Sequence, residues 1–160
     1  MIIHPFPPLY DENSKILILG SFPSVKSREQ NFFYAHPQNR FWKVLSHIFN
    51  SPLPETVEEK TTFHLKNKIA LWDVLASCEI TGSSDNSIKN AVANDISQII
   101  YNSKIENIFI NGKTAEKYYN KYIKAEINQD AVCLPSTSPA NAAWTFEKLC
   151  NAWGIIKSTF

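Results

Sequence analysis

The sequence predicts an α/β fold, a three-layer α/β/α sandwich around a four-stranded parallel sheet, and three observations carry that prediction. Four short apolar, β-leaning runs recur, at Ile16–Leu19, Ile69–Val74, Ile105–Ile110 and Ala131–Leu134. Stretches with helical spacing separate them, and strands that alternate with helices pair in parallel through right-handed crossovers. The first run, Ile16-Leu17-Ile18-Leu19, passes straight into Gly20-Ser21-Phe22-Pro23-Ser24. That is a buried strand stopping in a tight turn, where open α/β sheets place their ligand crevices.

The helices follow in order. Asn39–Phe49 puts Phe41, Leu45 and Ile48 on one face, and Thr56–Leu65 is a more polar helix after Pro54. Ser87–Tyr101 clusters Ile96, Ile99 and Ile100 at helical spacing, with Asp95 as a cap and break within the run. Thr114–Tyr122 and Asn141–Trp153 complete the set, while Ser83-Ser84-Asp85-Asn86-Ser87 is polar and short, a loop inside the domain. The expected poorly ordered ends are Met1–Tyr10 and Lys157–Phe160, unless the prolines and aromatic residues of the first pack over the sheet edge.

A chain of 160 residues fits one domain, residues 1–160, and 44% hydrophobic residues supply its core. At this size roughly 70% of the unfolded surface is buried on folding, so no staples are needed. Sixteen Lys and Arg against fifteen Asp and Glu leave a net charge of +1, which gives no bulk attraction to nucleic acid. A local groove can still be positive, because affinity comes from the few cations near phosphates. Cys78, Cys133 and Cys150 are odd in number and lack C-x-x-C spacing, which argues against a disulfide framework or zinc site and points to a reducing cytoplasm. No run approaches eighteen apolar residues and the first ten residues lack a leader-type apolar stretch, so neither membrane insertion nor export is expected.

Most functional signal lies between Lys15 and Phe49. After the Gly20-Ser21-Phe22-Pro23-Ser24 turn comes Tyr34-Ala35-His36-Pro37-Gln38-Asn39-Arg40-Phe41-Trp42, and near the C-terminus Val132-Cys133-Leu134 leads into Pro135-Ser136-Thr137-Ser138-Pro139-Ala140-Asn141. These segments resemble the uracil-DNA glycosylase superfamily, with its G-x-N-P-G turn, its spaced Y-x-G-P-x-N-x-F-W and its strand running into a Pro-Ser loop. Within that superfamily they are most similar to the DNA-deoxyinosine (hypoxanthine-DNA) glycosylases. Leu71-Trp72-Asp73-Val74-Leu75 and Phe109-Ile110-Asn111-Gly112-Lys113-Thr114-Ala115 fall where the family has its other two strand ends, so the likeness covers nearly the whole chain.

The resemblance implies a monofunctional enzyme that hydrolyses the N-glycosidic bond of a deaminated base in DNA, hypoxanthine or else uracil or xanthine, leaving an abasic site for base excision repair. It implies DNA as partner, a monomer, and neither metal nor organic cofactor. Such chemistry needs an extruded base, an aromatic surface, hydrogen bonds to the base edge and stabilisation of an oxocarbenium-like sugar. Amides, hydroxyls and backbone N–H groups suffice for it. With no pocket lysine placed for a Schiff base, strand cleavage by lyase chemistry is not expected.

Asn39 is the catalytic candidate: its carboxamide orients the attacking water and sets a carbonyl dipole near the sugar. Capping of the following helix is the alternative role. Phe22 stands where mismatch-type relatives carry a catalytic Asn; it offers the base an apolar wall, or it is core. Tyr34, after Phe32 and Phe33, is placed to stack on the base. Three consecutive aromatic residues in an extended segment cannot all face one way, so at least one meets pocket or solvent. Asp73 reads the base edge as an acceptor suited to the N1–H of hypoxanthine, or caps a turn near Ser77. Asn111 lines the pocket.

For DNA contacts the expected residues are Ser24, Arg40, Lys113, Ser136, Ser138 and Asn141, with helix capping as the competing role of the Pro-Ser loop. Relatives place a bulky wedge near Ala140, where this chain is small, which favours single-stranded or weakly paired substrates. His36 sits inside the motif, and His4, His47 and His64 share no metal-ligand spacing. Two rival classes stay open: a non-catalytic nucleic-acid-binding module of the same fold, and a small hydrolase using Ser136 or Ser138, which lacks a G-x-S-x-G elbow.

Overall fold

The structure is a computed structural model that describes residues 1–160. Its elements run β1 (Ile2–Ile3), β2 (Ile16–Gly20), α1 (Val25–Gln30), α2 (Phe41–Ile48), α3 (Val57–Lys66), β3 (Ile69–Asp73), β4 (Leu75–Glu79), β5 (Lys89–Ala93), α4 (Ser97–Tyr101), β6 (Asn107–Asn111), α5 (Lys113–Tyr122), α6 (Lys124–Ile127), β7 (Val132–Leu134) and α7 (Phe146–Trp153).

The expected four-stranded parallel sheet is present, in the order β3-β2-β6-β7. β2 is central because every one of its residues is apolar or Gly and every one is buried, as parallel strands covered on both faces must be. Its register sets Leu19 beside Trp72 and Ile110, and Gly20 beside Asp73. Gly20, Asp73, Asn111 and Leu134 are the last residues of β2, β3, β6 and β7, so four loops leave from one sheet edge. Helices cover the sheet, α2 packing on α7, and 34 buried apolar residues form one continuous core.

Three expectations are corrected. The Ser87–Tyr101 helix is instead strand β5 followed by the short α4, because Lys89–Ala93 pairs antiparallel with β4 and Asp95 ends the strand by accepting from Ser97 N–H at 3.0 Å. The Asn141–Trp153 helix begins only at Phe146, capped by Thr145, since the Asn141 amide is turned back to the Ser136 carbonyl at 3.0 Å. For the first ten residues the expected disorder is corrected and the alternative, packing on the sheet edge, is what occurs: β1 pairs with β4, and Leu9 bridges Leu71 on the edge of β3. Together β1, β4 and β5 make a second, antiparallel sheet with no counterpart in the sequence reading.

Candidate active site

The loops leaving the parallel sheet enclose a cavity of about 270 Å³. Phe22, Ser24, Tyr34, His36, Asn39, Asp73, Asn111, Ser136 and Ser138 all line it, and Ser21, Ser83, Asp85 and Thr137 join them. Small-molecule sites usually span about 300–1,000 Å³, so this one suits a single nucleobase.

At its floor Gly20 has no side chain, and two polar groups occupy that vacancy. A Cβ on Gly20 would lie 2.6 Å from Asp73 Oδ1, impossible without movement, and 3.0 Å from the Tyr34 hydroxyl, tighter than an ordinary contact. Asp73 is 4% exposed, and its other oxygen, Oδ2, lies 2.7 Å from His4 Nε2. The Tyr34 hydroxyl is buried, and its proton meets no acceptor in the protein. Burial, then the nearby Asp73 charge, push that phenol well above its ordinary range, with the Asn111 amide acting the other way, so Tyr34 keeps its proton. Its backbone is left-handed, φ 50°, an unusual conformation for a residue with a side chain.

Tyr34 was expected to stack on a base. One face of its ring is already covered by Phe41, at 3.9 Å between centroids and 21° between planes, so what it brings to the cavity is its other face and its O–H. Of the three neighbouring aromatic residues, Phe32 and Phe33 belong to the core, and only Tyr34 is incompletely buried. Phe22 is both core and wall: it is buried, lines the cavity and meets the His4 ring edge-on.

A directed chain of hydrogen bonds holds the opposite wall. The Asn111 amide donates to Thr137 Oγ1 at 3.0 Å, the Thr137 hydroxyl donates to Asn39 Oδ1 at 2.8 Å, and Asn39 Oδ1 also accepts from Phe41 N–H at 2.9 Å. Thr137 N–H closes the ring by donating to Asn111 Oδ1 at 3.0 Å. Asn39 therefore serves the start of α2 from one residue ahead of its Arg40 cap, and its carbonyl is used up, two donors for two lone pairs. The expectation that this carbonyl faces the sugar is corrected. What the carboxamide leaves for the cavity is its Nδ2 pair, which has no partner in the protein.

The expected DNA contacts divide. Ser24 lines the cavity while capping α1 through Ser27 N–H at 3.2 Å. Ser136 and Ser138 also line it and brace their own loop, accepting from Ser138 N–H and Ala140 N–H, each at 3.1 Å. Arg40, Lys113 and Asn141 are not brought into the cavity. The Arg40 guanidinium donates to the carbonyls of Ser138 and Asn141, each at 3.1 Å, and of Trp144, so it clamps the loop rather than standing free for phosphate. Lys113 is exposed at the start of α5, and its charge falls on Cys133.

Sequence reasoning missed His4, Asp85 and the weight of Thr137. Thr137 lay inside the Pro-Ser motif and Asp85 inside a loop passed over as connecting; Asp85 accepts from Ser21 Oγ at 2.9 Å across the cavity rim. His4 carried no signal at all, being 69 residues from its partner. No three His, Cys, Asp or Glu side chains gather into a cation-binding group, and no helix is long and apolar enough to cross a membrane.

A parallel sheet whose loops close on a cavity of amides, hydroxyls and one buried carboxylate has the groups that base excision calls for. Residues 7–157 match the profile of the Uracil DNA glycosylase superfamily, and the chain belongs to that family. It is 36% identical over 143 residues to a protein named hypoxanthine DNA glycosylase from Methanosarcina acetivorans, covering 88% of this chain and 89% of that one. A protein of the same name from Methanosarcina barkeri is 36% identical over 140 residues, covering 85% and 86%. The solution NMR structure of a Methanosarcina acetivorans protein provisionally named a uracil DNA glycosylase superposes with a TM-score of 0.84 at 30% identity, covering 99% of both chains.

Proposed function

We propose that this protein acts as a single-domain, monomeric, monofunctional DNA glycosylase that removes hypoxanthine from DNA. One observation carries the base preference: an acceptor, Asp73 Oδ1, and an unpartnered donor, the Tyr34 hydroxyl, share the floor of the cavity beside Gly20. Hypoxanthine presents the complement, N1–H beside the O6 carbonyl. Adenine presents the reverse, a lone pair at N1 beside an amino group, and is met by a carboxylate against its lone pair and a donor against its donor. Uracil and xanthine share the N–H and carbonyl pattern and form the secondary substrate class. The proteins named hypoxanthine DNA glycosylase support the same reading.

In the reaction the extruded base enters past Ser24 and His36 and the glycosidic bond breaks with its electron pair moving to the base. The sugar is left oxocarbenium-like, water adds to its anomeric carbon, and the proton the water sheds balances the one the departed base anion takes up. Asn39, with its carbonyl fixed by Phe41 and Thr137, aims its Nδ2 protons at the negative charge gathering on the departing base, a stabilisation present only as the bond stretches. Ser136 and Ser138, on the loop that lines the cavity, offer hydroxyls to a flanking phosphate. A serine-hydrolase reading lacks support because neither serine is hydrogen-bonded to a histidine that could take its proton; each oxygen only accepts a backbone N–H of its own loop.

The test is an oligonucleotide with one deoxyinosine. Wild type should release free hypoxanthine and leave an alkali-labile site. Asn39→Asp keeps the oxygen that serves the start of α2 and deletes both donors, so excision should fall at least about tenfold, the value of one lost hydrogen bond to developing charge. An Asp variant as fast as wild type, with its carboxylate activating water, would remove the donor role.

A further inference from the structure

We infer that His4 is a positioning residue for base recognition: it holds the Asp73 carboxylate in the orientation that accepts the N–H of a base. This rests on the proposed hypoxanthine reading and extends it to a residue far from the cavity motifs.

The geometry begins with β1. Ile2 and Ile3 pair with Cys78 and Ser77, and His4 N–H continues the ladder by donating to the Ala76 carbonyl at 2.8 Å. That register returns the N-terminal segment to within three residues of Asp73 along β4. The His4 side chain is 3% exposed and that of Asp73 6%, so their 2.7 Å contact is sealed from solvent. Phe6 N–H points at His4 Nδ1 from 3.4 Å, a long contact that nonetheless sets the ring proton on Nε2, donating to Asp73 Oδ2. Ring contacts with Trp72 at 4.3 Å, Phe6 at 4.5 Å and Phe22 at 5.9 Å fix the imidazole plane.

Asp73 has nothing else to orient it: its Oδ1 receives no hydrogen bond from the protein and opens into the cavity beside Gly20. With His4 in place, Oδ2 is held by its partner and Oδ1 is left facing the cavity, where a carboxylate oxygen accepts. Without that donor the side chain is free to turn about χ2, and Oδ1 no longer meets the N1–H of hypoxanthine in one fixed direction. The small antiparallel sheet thus supplies the support for the base-reading acceptor.

The experiment uses the full chain and three proteins: wild type, His4→Gln, whose Nε2 retains a donor at the same reach, and His4→Phe, which keeps the ring packing and deletes the donor. The ¹⁵N shifts of the His4 imidazole should report a proton on Nε2 and a bare Nδ1; the opposite tautomer overturns the assignment. NMR titration with free hypoxanthine and with unsubstituted purine, which lacks both N1–H and O6, then gives a ratio of dissociation constants. The hydrogen bonds from N1–H to Asp73 and from Tyr34 to O6 together make that ratio more than about tenfold in wild type; His4→Gln keeps it within about threefold of that, while His4→Phe lowers it by about tenfold. If His4→Phe weakens both bases equally and leaves the ratio intact, His4 only supports the fold and the inference fails. Failure of wild type to prefer hypoxanthine also overturns it. Loss of the parent reading looks different: binding ratios as expected, but no hypoxanthine released from the deoxyinosine oligonucleotide.

Discussion

The two sheets divide the work of this molecule unequally. In the parallel sheet, β2 and β3 are buried throughout and β6 through its centre, while the antiparallel sheet has a two-residue β1, a β5 that is largely exposed and a β4 with two register shifts. By buried apolar area the first is the source of stability and the second a minor partner. Yet the cavity is built where they meet. β3 ends at Asp73 and β4 starts at Leu75, so the chain passes from one sheet to the other within two residues, with Val74 and Leu75 N–H still bonded to the Gly20 and Ser21 carbonyls at 2.8 and 3.1 Å. A small sheet that adds little to stability is affordable when it positions a functional group.

The sharpest way to break this contrast is Leu17→Ala. Leu17 is fully buried in β2 between Ala70 and Ile108, and removing its isobutyl group should cost about 2–5 kcal/mol in urea denaturation, transfer and cavity terms together. Hypoxanthine release per folded molecule should stay within about twofold, since no cavity residue changes. A fully folded variant with crippled excision would mean that the parallel sheet tunes chemistry as well as stability.

The same contrast explains what the sequence could show. Each long parallel strand announces itself as consecutive apolar residues ending in Gly, Asp or Asn, so the sheet, its order of appearance and the site-bearing edge were readable. Asp73, Asn111 and the Pro-Ser loop sit at those ends and Asn39 in the motif just ahead of α2, which is why the resemblance found them. β5 was hidden because Lys89-Asn90-Ala91-Val92-Ala93 has no strong alternation and lies just before Ile96, Ile99 and Ile100, whose helical spacing spreads backwards onto it. Its strand character comes from pairing with β4, a tertiary effect that overrides local pattern. The His4–Asp73 contact joins residues 69 positions apart, and no local periodicity encodes such a pair. Hydrogen-bond direction was equally invisible: that Asn39 spends its oxygen and keeps its N–H₂ follows only from where Phe41 and Thr137 fall.

A second buried histidine sharpens the comparison from the stable side. His64, on α3, is fully buried, donates Nδ1–H to the Ile69 carbonyl at 3.2 Å and leaves Nε2 without a partner. Burial, opposed only by that hydrogen bond, takes its pKa down to about 3. The unfolded chain binds a proton near pH 6.5 that the folded chain refuses, so the His64 contribution is whole above pH 6.5 and is lost as pH falls towards 3, by up to about 1.4 kcal/mol per pH unit. His64→Phe should remove this part of the acid sensitivity in denaturation curves at pH 4, 5 and 7. An unchanged slope between pH 4 and 7 would show that His64 protonates in place.

Tyr34→Phe is the gentlest probe, and it separates the two roles in one atom. Tyr34 stands at the junction, stacked on Phe41 from the core side and presenting its hydroxyl beside Asp73 on the cavity side. The ring packing survives the change, and the atom lost is a buried donor that nothing satisfies. A site kept only for the fold would carry no such orphan, because an unpaired buried hydroxyl costs free energy that phenylalanine does not. Removing it should leave thermal stability unchanged or raise it by up to ~1 kcal/mol, while hypoxanthine excision falls about tenfold through loss of the donor to O6. Stability and activity would then move in opposite directions from one oxygen atom. If both fell together, the Tyr34 hydroxyl would be holding Asp73 in the folded state, and the donor half of the base-reading pair would have to lie elsewhere on the cavity wall.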